Sequence, residues 1–142
     1  MPAIIHTKSF RILPWLQAMD RSGSTLADER TSLSYPAAAQ AITSLQRDLA
    51  AAGVTPQDCI TAEIANDLDG ALLLLALIDA GLSFAPMPPR GTEARSAAHD
   101  IGLPTFSRWR AYFERAPGAD RSQLVVRPDP LYRRVLRAAD ES

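Results

Sequence analysis

With 142 residues, 46 % of them hydrophobic and 22 % charged, the chain has the length and composition of one ordinary globular domain that buries a substantial core. A formal net charge of −1 leaves no global field to draw in nucleic acid or an anionic membrane surface, so neither is an expected partner. The single cysteine, Cys59, excludes an internal disulfide and a thiolate zinc cluster, and fits a reducing cytoplasm.

No stretch approaches the roughly eighteen consecutive apolar residues of a membrane span; the longest, from Ala71 to Ile78, is flanked by Asp69 and Asp79. The opening MPAIIHTKSF lacks the basic region and long apolar core of a secretory signal. Residues Phe10 to Met19 then suit a short helix started or broken near Pro14, and Ser22-Gly23-Ser24 punctuates the chain. Thr25 to Asp28 and Ser32 to Tyr35 read as a small hairpin turning at Glu29-Arg30, with Leu26 and Leu33 inward.

From Pro36 the spacing of Ala38, Ile42, Leu45 and Leu49 predicts a long amphipathic helix that stops at Gly53, ahead of Pro56. Cys59 to Ile64 reads as a strand, and Asn66 or Asp67 caps the next helix. That helix is apolar almost all round from Ala71 to Ile78, which predicts cover on both sides or a side meant for another polypeptide. Gly81 ends it, and Leu82 to Ala85 re-enters a strand. Strand, helix and strand in this order form a βαβ unit with its strands parallel.

Beyond it the expected elements are a helix over Thr92 to Ile101, an aromatic-striped helix over Ser107 to Ala116, a strand over Gln123 to Arg127 and a terminal helix over Pro130 to Ala139. The whole is expected to be a single α/β domain over residues 1–142: an arm or helix over 1–22, the βαβ module over 23–90, and a divergent extension over 91–142. Its expected architecture is three-layered, with a partly parallel sheet and flanking helices.

Residue chemistry offers little for catalysis. His6 and His99 have no HExxH pattern and no cysteine nearby in sequence, so no metal ligand is nominated. Cys59 and His99 form a conceivable nucleophile pair, against the reading of Cys59 as a small hydrophobe in a buried strand. Capping and solvation account for Asp67, Asp69 and Asp79. Seven glycines lie at least ten residues apart, so no glycine-rich phosphate loop is present, and Lys8 is the only lysine. Ten of the fourteen arginines lie from Arg90 onward, through FSRWRAYFER and PLYRRVLRAAD. A GC-rich genome or a modestly basic contact face accounts for that skew.

Three pieces together resemble the N-terminal subdomain of the acyl-adenylate-forming superfamily, which comprises acyl-CoA synthetases, fatty acyl-AMP ligases and peptide-synthetase adenylation domains. LSYPAAAQAITSLQRDLAAAGV is similar to the family's entry strand and following helix, and TPQDCITAEIAND to its turn, strand and cap. ALLLLALIDAGLSFAPMPP is similar to its apolar helix, Ala-Gly junction and proline-closed strand, and MPPR leans toward the fatty acyl-AMP ligase branch. Gln57 and Pro36 depart from the family pattern, and the match covers under half the chain. In that family ATP is gripped by a later Ser/Thr/Gly loop ending in lysine, and this sequence has no such loop.

The resemblance therefore implies a non-catalytic, stand-alone module that binds, completes or regulates a separately encoded acyl-adenylating ligase or carrier protein, in lipid or secondary-metabolite biosynthesis, with no catalytic residue and no cofactor of its own. The contact surface read from sequence comprises Arg108, Trp109, Arg110, Tyr112, Phe113 and Arg133. Two other readings stay open. One is a small-ligand-binding protein or small enzyme with a pocket near residues 83–89. The other is a self-associating protein using the 71–78 or 106–113 helix in a homo-oligomer.

Overall fold

A computed structural model describes residues 11–18, 23–89, 107–115, 117–119 and 121–128. In chain order these form α1 (Leu13–Ala18), β1 (Thr25–Ala27), β2 (Ser32–Ser34), α2 (Tyr35–Ala52), β3 (Cys59–Glu63), α3 (Leu68–Asp79), β4 (Ser83–Met87), β5 (Trp109–Glu114) and β6 (Gln123–Pro128). The expected helices over 92–101 and 130–139 lie outside the described residues.

The architecture is three-layered α/β. A four-stranded, partly parallel sheet runs β4-β3-β5-β6, with β3 parallel to both neighbours and β6 antiparallel to β5. Helices α2 and α3 pack side by side on one sheet face. Beyond them lie α1 and the β1–β2 hairpin.

Local chemistry explains the elements. The Ser34 hydroxyl accepts the Ala37 amide at 3.2 Å and caps α2, while Pro36 occupies the first turn where no amide is needed. At the other end Gly53 takes φ 102°, and Gly53 and Val54 donate back to Ala50 and Leu49. Helix α3 begins at Asp67, whose carboxylate accepts the Gly70 amide at 2.8 Å. Of the two capping candidates in the sequence, Asp67 is the one used.

Helix α3 is covered on both sides. Leu73 and Leu77 pack with Ile60, Ala62, Phe84, Trp109, Ala111 and Leu49 in a core against the sheet. Leu68, Leu72 and Ala76 join Ile12, Leu16, Ala38 and Ile42 in a second core, against which Leu26 and Leu33 of the hairpin also pack. The register Leu26↔Leu33 puts both leucines on one face, as their spacing predicts.

The expected helix over 107–116 is instead strand β5. The run Trp109-Arg110-Ala111-Tyr112-Phe113 fits both periods: Trp109, Tyr112 and Phe113 recur at helical spacing, yet Trp109, Ala111 and Phe113 also alternate. Strand pairing decides between them. β5 hydrogen-bonds to β3 on one side and to β6 on the other, so Trp109, Ala111 and Phe113 enter the sheet-side core. Aromatic residues are also well suited to a pleated, half-buried surface.

Asp79 is a second correction. It is 3 % exposed rather than solvated at the helix end. Its Oδ1 accepts the amides of Ile12 at 2.7 Å and Leu13 at 2.9 Å, and Arg11 Nε lies at 3.4 Å; Oδ2 accepts Gln46 Nε2 at 2.8 Å. One carboxylate thus fastens α1 across α2 and α3.

Two outcomes follow. A Cβ at Gly70 would lie 2.0 Å from the Ala65 carbonyl oxygen, so Gly70→Ala should lower stability by about 2 kcal/mol or more, read as a shifted urea midpoint. Asp79→Ala leaves the Ile12 and Leu13 amides without an acceptor. It should cost about 3 kcal/mol and bring hydrogen exchange at those two amides close to the unprotected rate.

Candidate functional site

In open α/β sheets ligands bind outside the carboxyl ends of the parallel strands, where a helix N-terminus offers free amides to an anion. Here that edge is formed by the ends of β3 and β4, tied by the Ile64 amide to the Met87 carbonyl at 2.8 Å, and by the first turn of α3. Two amides of that turn, those of Leu68 and Gly70, are already taken by carboxylates. Asp67 accepts Gly70, and Asp28, from the hairpin turn, accepts Leu68 at 2.8 Å through Oδ2. Oδ1 of Asp28 meanwhile accepts Arg30 at 2.8 Å and Thr31 at 2.7 Å.

The electrostatics match this geometry. The Leu68 amide, followed by those of Arg30 and Thr31, holds the Asp28 carboxyl below its ordinary value. Burial, then the charges of Asp67 and Asp28, push Asp69 upward against the pull of Arg115. Glu63, the last residue of β3, adds a carboxylate that is 6 % exposed. The edge is therefore capped and acidic, a poor seat for phosphate.

The six contact residues read from sequence do not form one surface. Trp109 and Phe113 face the core. Arg110 and Tyr112 lie on the opposite side of β5, half-buried. Arg108 is exposed; its guanidinium sits 3.5 Å from Asp58 and 5.6 Å above the Trp109 ring. Arg133 lies outside the described residues.

Asp58 organises that corner. It accepts the Thr55 amide at 2.8 Å, the Thr55 hydroxyl at 3.0 Å and the Trp109 indole at 3.1 Å. Burial alone would raise its pKa; these donors and Arg108 outweigh burial and hold it low. Trp109 is thereby locked by its polar edge as well as by packing, and neither it nor Asp58 is available to a partner. An indole whose N–H is spoken for is not announced by sequence, since Asp58 and Trp109 stand 51 residues apart.

Cys59 is half-buried rather than buried. Its sulfur accepts the Ser107 hydroxyl at 3.8 Å, and Ser107 in turn accepts Thr61 at 2.7 Å. His99 lies outside the described residues. Among the described residues no group of three or more His, Cys, Asp or Glu is placed to hold a metal ion. No helix among them is long and apolar enough to cross a membrane.

A concavity of about 690 Å³ runs along the outer stripe of α2. Among the described residues it is lined by Leu13 of α1 and by Tyr35, Pro36, Ala39, Gln40, Thr43, Ser44 and Arg47. These α2 positions lie opposite Ala38, Ile42 and Leu49, the residues that bury the helix. Sequence periodicity separates the two faces, but the wall that makes one of them concave comes from α1.

No family model matches the chain, and no curated protein does. A solved structure described as the crystal structure of IdnL1 is similar at 16 % identity and a TM-score of 0.49. The match covers 84 % of this chain and 28 % of that one.

The depressed carboxylates carry a pH dependence. Asp28, Asp58 and Asp79 all lie below the ordinary 3.8. For Asp79, burial would raise the value, but the donors Leu13, Gln46, Ile12 and Arg11 reverse it. A carboxylate lowered in the folded state adds stability that is complete above its unfolded pKa and lost as pH falls through the folded one. The loss therefore begins near 3.8 and deepens below it, while Asp69, shifted the other way, opposes it. Urea midpoints should fall steeply between about pH 4 and about pH 2, and Asp79→Asn should be less stable at neutrality with a shallower acid limb.

Proposed function

We propose that the chain is a non-catalytic interaction module that binds, completes or regulates a separately encoded acyl-adenylating ligase or carrier protein. One observation carries the non-catalytic part. The α3 N-terminus, where a sheet of this kind grips phosphate, is filled by the carboxylates of Asp28 and Asp67. The sequence supports the same reading, with widely spaced glycines and Lys8 as the only lysine. The adenylating partner rests on the resemblance of residues 31–90 to that superfamily.

As an interaction module the chain presents a rigid scaffold. The apolar side chains of α3 are committed to two internal cores, so partner contact falls on the outer stripe of α2, the exposed α1 residue Trp15 at 50 % exposure, and the sheet edges. A module of this kind acts by docking, and its effect on chemistry is exerted through the ligase it joins.

The test is biochemical. The chain, the candidate ligase and their mixture are assayed for ATP-dependent pyrophosphate exchange and for co-purification. The chain alone should show no exchange, and the mixture should co-purify with exchange altered at least threefold relative to the ligase, a change of about 0.7 kcal/mol. Exchange by the chain alone, or an unaltered mixture without binding, rejects the reading.

A further inference from the structure

Helix α1 does not carry its own cap. Ile12 stands at its N-cap position, since the Ile12 carbonyl accepts the Leu16 amide at 2.9 Å, and isoleucine has no side-chain oxygen to offer the first turn. The missing acceptor comes from another helix. Asp79, the last residue of α3, takes the Ile12 amide at 2.7 Å and the Leu13 amide at 2.9 Å through one oxygen. Pro14 brings no further amide to satisfy. Gln46 of α2 holds the other oxygen of Asp79 at 2.8 Å. Ile12 and Leu16, 6 % and 1 % exposed, fill a seat made by Ala38 and Ile42 of α2 and by Leu68, Leu72 and Ala76 of α3. Among the described residues Arg11 is the one charged group within ion-pair distance of Asp79, at 3.4 Å, and it travels with α1.

A six-residue helix capped only from outside is helical only while it is seated. The seat and the helix that fills it are thus a receptor and a ligand on one chain, joined by the six residues 19–24. Gly23 in that link stands clear of the body, where an added Cβ would meet nothing within 4 Å. The groups that grip Ile12, Leu13 and Leu16 lie on α2 and α3, beyond the link, so the seat has no means of telling its own α1 from that of a second copy. Two copies that trade α1 fill two seats with two helices, and the pair closes on a two-fold axis with no seat left over. Contacts at the seat are the same in both forms, and the link alone separates them. A short link presents α1 to its own seat at an effective concentration of about 1 mM, so a second copy competes as the chain approaches that concentration.

We propose that α1 is exchangeable between copies, and that the chain self-associates as a dimer in which each α1 occupies the α2–α3 seat of its partner. This route uses neither the 71–78 nor the 106–113 segment. It goes beyond the function proposed above and stands whether or not the chain serves an adenylating ligase.

The experiment moves protection from one copy to another. A ¹⁵N-labelled Asp79→Ala chain has an intact α1 and a damaged seat, so its Ile12 and Leu13 amides exchange freely when it is alone. An unlabelled Leu16→Ala chain has an intact seat and a weakened α1. With the second in excess at about 1 mM, hydrogen exchange at Ile12 and Leu13 of the first should slow by about threefold or more. A second measurement needs no variant. In a mixture of ¹³C-labelled and unlabelled wild type at about 1 mM, isotope-filtered NOEs should join Leu16 of one copy to Ile42, Leu72 or Ala76 of the other, while sedimentation gives a monomer at about 10 μM. Unchanged exchange in the first mixture, or a wild type strictly monomeric at about 1 mM, overturns the proposal. A dimer in which Leu16 contacts only its own copy overturns it as well. Should either variant fail to fold, the wild-type mixture decides alone. Failure of the pyrophosphate-exchange assay leaves the proposal intact, and its own failure leaves that assay to be judged separately.

Discussion

Helix α3 is apolar on two faces that both need cover, and the rest of the chain is arranged around that constraint. Leu73 and Leu77 need the sheet, while Leu68, Leu72 and Ala76 need the layer made by α1, α2 and the hairpin. Each buried leucine contributes about 1.5–3 kcal/mol relative to exposure, so leaving either side uncovered would forfeit several times that amount. A single sheet-and-helix pair would satisfy half of α3. Three layers satisfy all of it, and this is why a hairpin of two three-residue strands and a six-residue helix are retained on the far side.

The ends of α3 are held by carboxylates, and the two ends differ in character. At the N-terminus Asp67 and Asp28 sit where the helix dipole favours negative charge. At the C-terminus Asp79 sits where that dipole disfavours it, and the amides of Ile12 and Leu13, with Gln46 and Arg11, make up the difference. The polar fastening that positions α3 also decides its chemistry. Amides that donate to Asp67 and Asp28 are not available to a ligand, so the same residues that stabilise the fold occupy two of the donors an anion would use there.

Much of this was legible in the sequence and some was not, for identifiable reasons. The span and stop of α2 follow from its four-residue apolar spacing, Ser34, Pro36 and Gly53, all local signals. β3, α3 and β4 were readable for the same reason, and all-round apolarity announced that α3 is covered twice. Local sequence does not settle β5, because Trp109, Tyr112 and Phe113 fit the helical period while Trp109, Ala111 and Phe113 alternate, and only pairing with β3, 49 residues earlier in register, selects one. The contact surface read from sequence fell with it, since a strand sends Trp109 and Arg110 to opposite faces. Sequence alone makes Asp79 a solvated helix end, because its partners at Ile12 and Leu13 are 67 and 66 residues away. The groove was hidden similarly: its lining is written on α2, but its concavity depends on where α1 lands.

The attachment of α1 bears on the order in which the molecule comes together and apart. Its docking place consists of Asp79, Gln46, Ala38, Ile42, Leu72 and Ala76, contributed by two other helices. That place exists only after those helices have packed, and a six-residue helix has no stability of its own to arrive early. α1 is therefore a late addition in assembly and an early departure in unfolding, a small cooperative unit whose opening costs less than that of the whole domain. The molecule accordingly has a hierarchy: a sheet-and-helix body that stands or falls together, and a clasp whose hold is set largely by one carboxylate.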